Sequence, residues 1–110
     1  MKKLISIDLD GVLNTYNGHF DENIIPPAHE DARDFLSELS NEYRIEIFTT
    51  RNKKAAFLWL QENKLIDYIT DITNVKNPYS SIFIDDRAIG FNGDFEKIKH
   101  KIKCFKPFWK

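Results

Sequence analysis

Short apolar runs that stop abruptly at polar residues, three of the four followed by a helical pattern, constrain this chain more than any other feature. Leu4-Ile5-Ser6-Ile7-Asp8-Leu9-Asp10 ends in acid and Gly11, as a buried strand does at the rim of a sheet. Arg44-Ile45-Glu46-Ile47-Phe48-Thr49-Thr50 is a second such run and ends in hydroxyls. Tyr68 to Ile72 makes a third strand with Asp71 inside it, and Ser80-Ser81-Ile82-Phe83-Ile84-Asp85-Asp86 a fourth, closing on carboxylates. Between them Ala32, Phe35, Leu36, Leu39 and Tyr43 recur at helical spacing, so a helix covers about Ala28 to Asn41 with Pro27 suited to its first turn. A second helix over about Asn52 to Asn63 uses Ala55, Ala56, Leu58, Trp59 and Leu60 as its apolar face. A third begins near Asp94, turns Phe95, Ile98 and Ile102 inward, and leads to a terminal strand at Lys103 to Phe105. Asn17-Gly18, between Tyr16 and His19, is a strong hairpin-turn signal and predicts a small β-flap over Leu13 to Phe20. Strands alternating with helices predict an α/β fold, a three-layer Rossmann-like parallel sheet with helices on both faces.

The chain's 110 residues suffice for one core, so a single domain over 1–110 is expected. With 42% hydrophobic residues and a net charge of −1, neither intrinsic disorder nor a strongly basic nucleic-acid footprint fits. A weak exception is the cluster Lys97, Lys99, Lys101, Lys103, Lys106 and Lys110 around His100, most simply a solvated face, which leaves nucleic acid as a weakly supported partner. The single Cys104 cannot form an internal disulfide and suits a reducing compartment. The apolar stretch after Lys2-Lys3 ends at Asp8, too short for a signal peptide, and no run is long enough to span a membrane. A cytoplasmic protein is expected.

In open parallel sheets the functional crevice lies outside the carboxyl ends of the strands. Asp8 and Asp10, Thr49 and Thr50, and Asp85 and Asp86 would all reach that edge, with Lys76 adding a positive charge. Four carboxylates there repel one another unless a cation sits among them, and Mg²⁺ with hard oxygen ligands is the natural candidate. Carboxylates, a hydroxyl, a lysine and a divalent cation suit phosphoryl transfer. Asp8 and Asp10 taken alone could equally cap the turn at Gly11.

Asp8-Leu9-Asp10-Gly11-Val12 resembles the DxDGV signature of the haloacid dehalogenase superfamily, and Thr49, Lys76 and Asp85-Asp86 resemble its later motifs in the same order. The resemblance implies that Asp8 is the nucleophile, forming an aspartyl-phosphate, and that Asp10 is the acid and then the base. It further implies that Thr49 binds a phosphoryl oxygen, with Thr50 secondary, and that Lys76 neutralises charge. Mg²⁺ would be held by Asp8, Asp85 and the Asp10 carbonyl. Asp86 would act through water or hold Lys76, and Arg87 could pair with it. The intervals from Asp10 to Thr49 and from Thr50 to Lys76 hold no cap domain. The acid at Asp10 implies a phosphatase for phosphate monoesters, and an open site of this kind implies macromolecular substrates as well as small ones, or closure by a partner subunit. Two rivals use the same type of sheet. A phospho-acceptor module resembling a response-regulator receiver would carry its acidic pair early, whereas here the adjacent pair comes late. A catalytically idle binding module would not require Asp8 and Asp10.

Overall fold

The computed structural model describes residues 2–110. Four parallel strands form one sheet: β1 (Lys3–Asp8), β2 (Tyr43–Phe48), β3 (Asp71–Thr73) and β4 (Ile82–Ile84), in the order β3-β2-β1-β4. Helix α1 (Ala32–Leu39) joins β1 to β2, α2 (Lys53–Glu62) joins β2 to β3, and α3 (Phe95–Cys104) follows β4. This is a Rossmann-like α/β architecture, as the alternating pattern predicts. No helix among the described residues is long and apolar enough to cross a membrane.

Register explains the core. Ile84, Ile7, Ile47 and Ile72 align across the four strands, and Ile82, Ile5 and Ile45 align in a row beside them. Side chains two apart in a strand share a face, so these β-branched residues form one apolar surface. Ala32 and Leu36 of α1 and Ala56, Trp59 and Leu60 of α2 pack against that surface. Both helices lie on one face because both crossovers step the same way across the sheet and are right-handed. Asn52 caps α2, its side chain accepting from the Ala55 N–H.

The opposite face is different in kind. Ser6 and Glu46 lie side by side in register and are buried. Ser6 Oγ donates to Glu46 Oε2 (3.1 Å), Asn77 Nδ2 donates to Glu46 Oε1 (3.2 Å), and Ser80 is hydrogen-bonded to Ser6. These bonds lay segment 74–81 over the sheet and satisfy a buried carboxylate that would otherwise be costly.

Several local expectations are corrected. The hairpin at Asn17-Gly18 does not form; instead Asn14 pairs with Ala28, with Thr15 N donating to Pro27 O and His29 N to Leu13 O. The chain after Leu13 therefore finds its partner a dozen residues on, and 14–31 becomes one long loop. That pairing keeps Pro27 and Ala28 extended, which delays α1 to Ala32. Ile66–Tyr68 is a 3₁₀ turn, and pairing with β2 begins only when Thr70 N reaches Ile45 O, so β3 starts at Asp71. Leu58 is exposed on α2 rather than part of its packed face. In α3, Phe95 (73% exposed) and Ile102 (61%) face outward, and no residue of this helix is buried. Lys103 and Cys104 end α3 instead of starting a strand.

Leu36→Ala is expected to destabilise the chain by about 2–5 kcal/mol, seen as a lower urea midpoint at unchanged slope. Leu58→Ala, on the exposed side of α2, should change stability by no more than about 0.5 kcal/mol.

Candidate active site

Asp8 is the last residue of β1, and Asp85 and Asp86 follow the neighbouring strand β4. One carboxylate oxygen from each of the three lies within 4.8 Å of the others. The sheet itself makes this cluster, since parallel neighbours deliver their carboxyl ends to one rim. It lies where the strand order reverses, β1 connecting towards β2 on one side while β4 returns on the other.

The chain leaves β1 through a tight turn over Leu9–Leu13, anchored by buried Leu9 and Leu13. Gly11 there has φ +86°, a conformation that other residues adopt only with strain. A side chain at Gly11 would also collide with the Asp86 carboxylate, so the missing Cβ makes the space that Asp86 occupies. Buried Asn14 closes the turn. Its Oδ1 accepts from Gly11 N and Tyr16 N, both at 3.1 Å, and its Nδ2 donates to Asp10 Oδ1 (3.0 Å).

Burial pushes the Asp8 carboxyl up from 3.8 to about 8. A hydrogen bond shared with Asp86 adds to this, as do the negative charges of Asp85, Asp86 and Asp10. Asp86 Oδ2 accepts the Trp109 indole N–H, whereas no group outside the acidic cluster donates to the buried Asp86 Oδ1. Asp85 Oδ1 accepts from Arg87 N at 2.8 Å. The cluster thus has more acceptors than the protein supplies donors. Hard oxygen ligands, a raised carboxyl and a buried oxygen with no donor from outside the cluster together fit a small divalent cation such as Mg²⁺.

Asp10 is oriented differently. Arg51 grips it with both ends of its guanidinium, Nε to Oδ2 at 2.8 Å and Nη2 to Oδ1 at 3.1 Å. The Arg51 side chain is 1% exposed. It also donates from Nη1 to the Asp21 carbonyl (2.7 Å) and lies 4.5 Å from the centroid of the Phe20 ring. Asn74 Nδ2 donates to the carbonyls of Thr49 and Arg51 from the end of β3. One buried arginine therefore ties the ends of β1 and β2 to the 14–31 loop. The sequence reading passed over it, although Arg51 directly follows the hydroxyl pair that closes β2.

A cavity of about 180 Å³ opens at this rim. Asp8, Asp10 and Asp85 form its acidic wall, Tyr16, Phe20 and Phe48 its aromatic one, and Thr50 and Arg87 complete it. Thr49 is buried instead, its hydroxyl accepting the Arg51 N–H at 3.1 Å, so Thr50 is the hydroxyl facing the cavity. Lys76 is not brought to this wall. Its ammonium sits 4.8 Å from the centroid of the Phe83 ring, a cation–π contact on the sheet face carrying segment 74–81. Asp86 bonds to Trp109 and forms no ion pair with Lys76 or Arg87.

No protein-family model matches the chain. Its fold is similar to that of a conserved protein from Bacteroides thetaiotaomicron of solved structure, with a TM-score of 0.61 and 19% sequence identity. The similarity covers 98% of this chain and 95% of that one and shows a shared fold.

The raised Asp8 carboxyl has a thermodynamic signature. Between pH 3.8 and about 8 the folded metal-free chain holds a proton there that the unfolded chain has lost. The stability it contributes is full below the lower value and is lost as pH rises through the upper one. The metal-free melting midpoint should therefore fall across this window, and Asp8→Asn should flatten that fall. Thermal scans at several pH values in the presence of a chelator check both.

Proposed function

We propose that this chain is a Mg²⁺-dependent phosphatase of the haloacid dehalogenase type, hydrolysing phosphate monoesters at an open, capless site. The observation that supports this most is the position of Asp8. It closes a central parallel strand, faces a solvent-open cavity, and shares its rim with two carboxylates from the adjacent strand.

In the first step an Asp8 carboxylate oxygen bonds to phosphorus as the bond to the ester oxygen breaks, and Asp10 gives that oxygen its proton. In the second, water attacks phosphorus, Asp10 takes a proton from that water, and the bond to Asp8 breaks to release inorganic phosphate. Asp8, Asp85 and Asp86 are the residues that would hold Mg²⁺, with the Asp10 carbonyl as the further ligand that the motif implies. When bound, the ion supplies charge neutralisation between these carboxylates and the phosphoryl oxygens. Arg51 keeps Asp10 at the rim through its two-pronged pair. We assign the protein's own phosphoryl cation to Arg87, and the hydroxyl contact to Thr50, because both line the cavity. With no inserted domain beside the site, esters of large molecules can approach as readily as small ones. The single exposed Cys104 fits a cytoplasmic location.

Phosphate release from an aryl phosphate, with Mg²⁺ and then with chelator, tests the reading. Turnover should require the metal. Asp8→Asn should cost on the order of 10³-fold or more in kcat, and Asp10→Asn on the order of 10²–10⁴-fold. Full turnover by Asp8→Asn would remove Asp8 as nucleophile. Arg87→Met should lower kcat/KM more than Lys76→Met does; the reverse order returns the cation's role to Lys76.

A further inference from the structure

Trp109 is bound to the acidic rim and to the loop beside it at once. Its indole N–H donates to Asp86 Oδ2, and its ring meets Tyr16 edge to face, with centroids 5.3 Å apart. The same ring lies against Gly18, where an added Cβ would come within 3.3 Å of it. Next to it, the Phe108 ring is 6.5 Å from that of His29, on the returning arm of the same loop. Asp86 is thus the one carboxylate of the cluster with a side-chain donor from outside it, and that donor takes Oδ2 while none from outside reaches the buried Oδ1.

We propose that Trp109 is a positioning residue of the candidate metal site, its N–H fixing Asp86 so that Oδ1 remains the oxygen offered to the cation. This rests on the metal reading above, not on the phosphatase chemistry. Two features suit the role. An indole N–H is a donor only, so it neutralises part of one oxygen's charge without competing for the ion. The bond is also made to a carboxylate, and hydrogen bonds to a charged group are shorter and stronger than neutral ones. The Tyr16 contact extends the consequence to the cavity wall, because a cation that orders Asp86 also orders Trp109 and the ring packed on it.

Mn²⁺ serves as the probe, being a hard divalent cation that is also paramagnetic. Calorimetric titration of the intact chain gives the wild-type Kd. Trp109→Phe keeps a ring against Tyr16 and Gly18 but removes the donor, and it should raise that Kd by about tenfold. Fluorine NMR of fluorotryptophan-labelled wild-type chain then reports on the two tryptophans without any substitution. Substoichiometric Mn²⁺ should broaden the resonance that is absent from Trp109→Phe more strongly than that of Trp59. Binding with an unchanged Kd in Trp109→Phe, or equal broadening of both resonances, overturns the proposal. Failure of wild-type chain to bind Mn²⁺ overturns it together with the metal reading. Normal binding and the expected broadening in a chain without phosphatase turnover would remove the proposed function and leave this role standing.

Discussion

Three carboxylates held at one half-buried rim are the constraint around which the rest of this structure is arranged. Two unit charges 4 Å apart repel by about 4 kcal/mol at an effective dielectric of about 20, a large share of the roughly 5–15 kcal/mol that keeps a domain folded. The molecule answers in two ways. Asp8 holds a proton up to about pH 8 in the absence of metal, and Asp86 takes a donor from Trp109. Both measures are partial, since no donor from outside the cluster reaches the buried Asp86 Oδ1. A site left incomplete in this manner gives a cation something to do, whereas a fully satisfied one would have no use for it.

The geometry that enforces the clustering is remote from the charges. Isoleucines in register across all four strands pack on α1 and α2 and fix β1 beside β4, so that Asp8 and Asp85 must end at one edge. Gly11 clears the space for Asp86, and Asn14 holds the turn that contains it. Arg51 then divides the carboxylates into two sets. Asp10 is paired with a buried guanidinium, while Asp8, Asp85 and Asp86 have none.

What was legible in the sequence follows from the range of the interactions involved. The strands Lys3–Asp8, Tyr43–Phe48 and Ile82–Ile84 could be read, to within a residue or two at their starts, because β-branched runs ending in acid or hydroxyl are local patterns. Asp8, Asp10, Thr50 and Asp85 could be placed at the cavity for the same reason, each following directly from a strand end. The Asn17-Gly18 turn misled because a stronger partner for residues 13–15 lies at 27–29, beyond any local signal. Phe95 and Ile102 follow a helical period and are nonetheless exposed, which shows that spacing identifies a face but not what covers it. Thr49 follows the same strand end as Thr50 and Lys76 follows the motif order, yet burial for the one and Phe83 for the other put their side chains elsewhere. Trp109 carries no mark in its neighbouring residues; only the folded chain brings it to Asp86.

The central claim is that Asp8 becomes covalently phosphorylated, and trapping that adduct tests it most directly. Borohydride added during turnover reduces an acyl phosphate and converts the phosphorylated aspartate to homoserine with loss of phosphate, which peptide mass spectrometry locates. The account predicts homoserine at position 8, dependent on both substrate and Mg²⁺, with Asp10, Asp85 and Asp86 unmodified. Sustained phosphate release with Asp8 unmodified, or with the modification at another of these carboxylates, would contradict it.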